Sequence, residues 1–227
     1  MDYLPQKESS KNMKYLIPIK RQAFTLIELV FVIIVISILA SLALPRLDRD
    51  VKLEAGDNIL SAIRYTQQLA LIDNKVSTSA TWQRTLWAIR FTGGANAFYT
   101  IATDDNNNSA ISKDESAIDP ANGKYLYNSS GVFANIAGNE SPNIFLGYKY
   151  SINAINFAGG CANAQHIAFD HLGRPFNNIG AAGWNYATIM QADCNLTFGF
   201  SDNSIGNLTI TIEKQTGHAY IVGQPNS

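Results

Sequence analysis

The stretch RQAFTLIELVFVIIVISILASLALPRL, residues 21–47, constrains this chain more than any other feature, because an ordinary globular core cannot absorb it. From Leu29 to Pro45 it holds no charged residue, and Leu, Val, Ile and Phe dominate. At about 1.5 Å per residue, a helix of this length nearly spans the hydrocarbon core of a bilayer. Lys20 and Arg21 precede the stretch and mixed charges follow it. The positive-inside rule therefore keeps the N-terminus in the cytoplasm and sends everything beyond Arg46 across the membrane. Glu28 conflicts with a purely lipidic role. A carboxylate at membrane depth is costly unless it finds a partner or reaches the headgroups. A plain signal anchor would let Glu28 snorkel to the membrane edge.

The remaining chain has the size of a single folded head, roughly 150 residues. Charged residues make up only 15% of the sequence, which predicts a turn-rich head with an uncharged polar surface. Residues 1–23 hold five basic side chains (Lys7, Lys11, Lys14, Lys20, Arg21) and two acidic ones (Asp2, Glu8). With a formal net charge of −1 overall, the rest of the chain carries −4, so no nucleic-acid partner is expected.

Beyond Pro45 the pattern becomes amphipathic. Ile59, Leu60, Ile63, Leu69, Ala70 and Ile72 recur at steps of three and four, with Arg64, Gln67, Gln68 and Asp73 between them. A helix from Phe24 to about Asn74 would be roughly 75 Å long, with Pro45 and Gly56 as its weak points. Short runs rich in aromatic and β-branched residues follow: TLWAIRF (85–91), AFYTIAT (97–103), IFLGYKY (144–150), HIAFD (166–170), LTFGF (196–200), LTITIE (208–213) and HAYIVG (218–223). Gly, Asn and Asp separate them, as between strands. KQTG, between the last two, has the length of a hairpin turn. The expected fold is α+β: a long N-terminal helix, transmembrane and then amphipathic, packed against an antiparallel β-sheet head.

The junction KRQA followed by FTLIEL resembles the leader junction of type IV pilins and the pseudopilins of type II secretion. That family has a basic leader, a small residue, a Phe and a Glu as fifth mature residue. The resemblance implies cleavage between Ala23 and Phe24 by a prepilin peptidase, which also methylates the new Phe24 amine. The family usually has Gly where this chain has Ala23. It further implies that Glu28 pairs with the N-terminal amine of a neighbouring subunit during assembly, and that the helix bends near Pro45. Met13 offers a second start, giving a leader MKYLIPIKRQA, and translation is expected to begin there. The organisation expected is a leader over 1–23, a transmembrane or filament-core helix over 24–45, an amphipathic helix over 46–76 and a periplasmic β-rich head over 77–227.

HIAFDHLGRPFN and the terminal LTITIEKQTGHAYIV resemble the H-class minor pseudopilins and the related FimT-type minor pilins, a likeness that covers the N-terminal helix strongly and the head only loosely. Some FimT-type relatives bind DNA through a basic C-terminal motif, whereas this chain ends in the uncharged IVGQPNS. The segment from Phe169 to Pro175 reads as a structural turn: Asp170 holds it, Gly173 permits positive φ and Pro175 stiffens the exit.

Two further features carry chemistry. Cys161 and Cys194, the only cysteines, both fall on the exported side, where an even count favours a disulfide. Metal binding with His166 and His171 is the rival, but no CxxC or HxxxH pair supplies chelating spacing. Residues 104–115, DDNNNSAISKDE, align with an EF-hand calcium loop: Asp104, Asn106 and Asn108 at positions one, three and five, the Ala110 carbonyl at seven, Ser112 at nine and Glu115 at twelve. Ser109 replaces the glycine expected at six. A calcium site and a solvated Asn/Asp loop both stand open. Catalysis has little support: GxSxG, P-loop and HExxH motifs are absent, and a His171–Asp170 dyad is weaker than the turn reading. Trp82, Trp87 and Trp184 read as core or interface residues.

Three roles fit these residues. The first is a non-enzymatic minor pseudopilin in the inner membrane, head in the periplasm, assembling with other subunits, the assembly platform and the secretin of a type II secretion system. The second is a minor pilin of a type IV pilus for twitching, adhesion or DNA uptake. The third is a monomeric membrane-anchored binding protein.

Overall fold

The computed structural model describes residues 25–162, 164–180 and 188–224, with only the backbone over 41–50. The chain divides into two compact units between Ala43 and Leu44. Helix α1, Leu26–Ile72, runs 47 residues and contributes to both. It is assigned helical through Pro45, whose missing N–H removes one bond to the preceding turn. The unit boundary falls two residues before that proline.

Among the described residues eight strands follow, all pairing antiparallel. They are β1 (Trp87–Thr92), β2 (Phe98–Ala102), β3 (Ile152–Gly159), β4 (His166–Phe169), β5 (Pro175–Phe176), β6 (Cys194–Phe200), β7 (Leu208–Ile212) and β8 (Ala219–Ile221). One sheet has the order β2-β1-β4-β5 and the other β3-β6-β7-β8. Strand β6 alternates buried and half-buried residues along its whole length, the pattern of a strand with one face on a core. Phe91 of β1 packs edge-on against Phe157 and Phe198 of the other sheet, at centroid distances of 6.2 and 5.6 Å. The fold is therefore the expected α+β arrangement.

Within the second unit the helix buries Ala55, Ile59, Leu60, Ala62, Ile63 and Ala70 in the core of the head. Fully burying each isoleucine contributes about 1.5–3 kcal/mol. Leu69 is half-buried, but Ile72 is 82% exposed, contrary to the expected apolar stripe. It is the last helical residue, where the chain turns away toward β1. Gly56 is a packing residue as well as a weak helix former. A Cβ there would come within 2.9 Å of the Ile221 side chain on β8.

The segment 144–150, expected as a strand, is instead a 3-10 turn leading into a short helix, α2, Leu146–Tyr150. Pro142 starts the turn, and Ser151 ends the helix in the left-handed region at φ 58°. Gly147 packs so closely that a Cβ would meet the Ala95 carbonyl at 2.6 Å. Two of the aromatics that suggest a strand are buried, Phe145 at 1% and Tyr150 at 2% exposed, whereas Tyr148 is 68% exposed. Strand β3, which immediately follows, was not among the expected strands.

Cys161 and Cys194 form a disulfide, both buried, across a sequence separation of 33. It fastens the end of β3 to the start of β6, where Gly159 already pairs with Cys194. In the chain-entropy account a loop of that length stabilises by roughly 3–4 kcal/mol. Replacing both cysteines with serine should lower the unfolding free energy by about 3 kcal/mol in urea titration. Mass mapping without reductant should find neither thiol alkylatable in the parent chain.

Candidate functional site

The start of helix α1 shows how Glu28 is set. Thr25 precedes the first helical residue, and its Oγ1 accepts the Glu28 amide at 3.3 Å. Thr25 and Glu28 thus occupy the N-cap and N3 positions of a capping-box sequence. A carboxylate in the first turn also faces the positive end of the helix dipole. Thr25 was missed at the sequence level, although the spacing T-x-x-E is its signal. Ala23 and Phe24 lie outside the described residues, as does the side chain of Pro45.

From Leu26 to Leu39 every large apolar side chain is at least 41% exposed, so the helix presents apolar surface on all sides. A helix of that kind needs lipid or other protein around it. Among the described residues, no helix is long and apolar enough to cross a membrane. The apolar run of the sequence continues into residues 41–45, whose side chains lie outside those described.

In the head, the Phe169–Pro175 segment is the turn between β4 and β5. Asp170 is fully buried, and its Oδ1 accepts the amides of Leu172 and Arg174. Its Oδ2 takes Arg174 Nε at 2.8 Å and pairs with Nη2 at 2.6 Å. Gly173 has φ 79°. Asp170 therefore spends its carboxylate on Arg174 and the turn rather than on His171, whose Nδ1 is buried without a partner. Gln67, placed with the polar residues of the helix in the sequence, binds this turn to the next hairpin. Its Nε2 donates to the carbonyls of Gly173 and Thr216, both at 2.9 Å. Trp82 packs edge-on against Phe176, and Trp87 donates to Asp73 at 2.8 Å. Trp184 lies outside the described residues.

The 104–115 segment is closed by hydrogen bonds of its own. Asp104, 3% exposed, accepts the amides of Asn108 and Ser109 on its two carboxylate oxygens, both at 3.0 Å. Asn106 Oδ1 accepts the Asn108 amide, and Asn108 Oδ1 the Ala110 amide. Glu115 folds back onto Ser112, taking its amide and hydroxyl, and also accepts the Asn106 amide. Burial acts to raise the Glu115 pKa, but the hydrogen bonds from Ser112, Asn106 and Asp105 prevail and lower it. Ser109, at the sixth position, sits in the left-handed region at φ 68° where a glycine was expected. Among the described residues, no group of three or more His, Cys, Asp or Glu is placed to hold a metal ion.

Residues 19–44 match the family model of the prokaryotic N-terminal methylation motif. The match overlies the KRQA and FTLIEL segments, with Thr25 and Glu28, and the exposed apolar turns of α1, and it supports the pilin and pseudopilin class. No curated protein and no solved structure matches the chain. A loop held by its own hydrogen bonds should melt identically in chelator and in millimolar calcium. A higher melting temperature in calcium would show that Asp104 and Glu115 exchange amides for the ion. What the comparison establishes is therefore a type IV pilin-like, N-terminal methylation signal at the head of this chain.

Proposed function

We propose that this protein is a non-enzymatic minor pseudopilin, a subunit that assembles into a short periplasmic filament of a type II secretion system and helps to export folded proteins. The observation that carries the proposal is the methylation motif lying over a helix whose apolar side chains are exposed on every side. Such a helix is suited first to the inner membrane, as a single-pass anchor with the head in the periplasm, and then to a filament core made of its neighbours. Cleavage between Ala23 and Phe24 would place a new amine four residues before Glu28. In a low-dielectric core, pairing of Glu28 with that amine on a neighbouring subunit fixes the axial position of one subunit on the next. The head, with two sheets and a disulfide, is the part that would face the periplasm.

The secretion role is tested by comparing the extracellular proteome of a clean deletion strain with its parent. Exoproteins held in the periplasm are the expected result. An unchanged secretome would contradict the secretion role and favour a surface pilus, to be followed in motility and transformation assays.

Glu28→Gln isolates the assembly role, because glutamine keeps the N3 capping residue type and removes only the charge. The dipole contribution of a first-turn acid is about 0.3–1 kcal/mol, too small to unfold a long helix. Membrane insertion and cleavage should therefore persist, while incorporation into filaments falls by roughly a hundredfold or more as a buried ion pair loses one partner. Normal incorporation of Glu28→Gln would refute the pairing.

A further inference from the structure

A small cavity in the head has a charge balance that no feature described above explains. It holds about 150 Å³, and its lining includes Arg84, Arg90, Asp104, Ser109, His166 and Asn178. Arg90 lies in β1, opposite Thr100 of β2 and His166 of β4. Its side chain is half-buried. Among the described residues no hydrogen bond or ion pair reaches its guanidinium, and its Nε is shut off from solvent without a partner. Arg84 comes to the same cavity from the 3-10 turn before β1. It donates to Ser109 Oγ at 2.9 Å and to the Gly180 carbonyl at 3.2 Å, and its Nε is likewise buried and unpartnered.

The groups facing these two cations do not neutralise them. Among the described residues Asp104 is the one acid in the lining, and both its oxygens already accept backbone amides. His166 adds no charge near neutral pH: burial, and then Arg90, push its pKa down to about 4. Its Nε2 accepts the Ile179 amide at 3.2 Å, as a neutral ring does. Burial also lowers the pKa of Arg90, with Asp104 opposing it. Residues 181–187, AAGWNYA, follow Gly180 outside the described residues and contain no acidic side chain. Two guanidinium groups thus face one carboxylate. Arginine does not shed its proton in proteins, so the remaining charge calls for an anion.

We propose that this cavity binds a small oxyanion, a carboxylate or a tetrahedral phosphate or sulfate group, between the guanidinium groups of Arg84 and Arg90. The Ser109 hydroxyl and the Asn178 amide are the neutral donors at hand. Among the described residues Arg84 uses two of its donors, which leaves others for a forked contact with the anion. The volume limits the occupant. A water takes about 30 Å³ of liquid, so the space suits a group of a few heavy atoms rather than a nucleotide or sugar chain.

The test uses the purified full-length chain at pH 7, titrated calorimetrically with sodium phosphate, sulfate or acetate at ionic strength matched with chloride. At least one anion should bind saturably. Arg84→Gln and Arg90→Gln should each weaken that binding roughly tenfold or more, whereas Lys214→Gln, on the exposed β7–β8 turn, should leave it unchanged. Saturation by acetate assigns a carboxylate ligand, and saturation by phosphate and sulfate alone assigns a tetrahedral one. In chloride alone, Arg90→Gln should melt no lower than the parent, because it removes an unneutralised half-buried charge. Absence of saturable binding by all three anions, or equal affinity in Arg90→Gln, overturns the proposal.

Discussion

One helix has to satisfy two different surroundings, and the rest of the structure follows from that constraint. Along residues 51–72 it is amphipathic, with Ala55, Ile59, Ile63 and Ala70 set into the head, Arg64 turned to the Ala219 carbonyl of β8 and Gln67 to the carbonyls of two turns. Along residues 26–39 it has no such division, and apolar side chains are exposed in every direction. Packing against its own head stabilises the first segment. The second requires apolar surroundings of lipid or protein.

The head is built to hold its half of the helix firmly. Two antiparallel sheets meet through Phe91, Phe157 and Phe198, and the disulfide fixes the β3–β6 pair at its open end. The long excursions between strands are ordered locally. Asp104 gathers the amides of Asn108 and Ser109, and Asp170 closes the β4–β5 turn through Arg174. Glu140, only 3% exposed, is held by Lys113 at 2.8 Å and Asn128 at 2.7 Å. Acidic residues of this kind act as hubs for backbone and side-chain donors, which explains why a head with few charges still buries several of them.

The helix was legible because its two periodicities are carried by side-chain type alone: an unbroken apolar run and then steps of three and four. The strands β1, β2, β4, β6, β7 and β8 were legible for the same reason, their alternation being visible in runs such as LTITI. The 144–150 segment misled because Phe145, Leu146 and Tyr150 suit a strand by propensity. Their burial in a short helix depends on Gly147 and the Ser151 cap, which only tertiary packing reveals. Strand β3 was hidden by its half-exposed Ala and Asn residues, since it lies at a sheet edge. The N-terminal junction could be read directly. The arginine cavity could not, because Arg84, Arg90 and His166 converge only through the β1–β4 pairing and the loops above it.

The central claim is that the apolar helix begins a processed, assembling subunit. Intact-mass and N-terminal peptide analysis of the protein isolated from its native membrane tests it most directly. The proposed role requires a mature chain that starts at Phe24 and carries one added methyl group on its N-terminal amine. A chain that retains Met1 or Met13, or is cut after the apolar run, would contradict it.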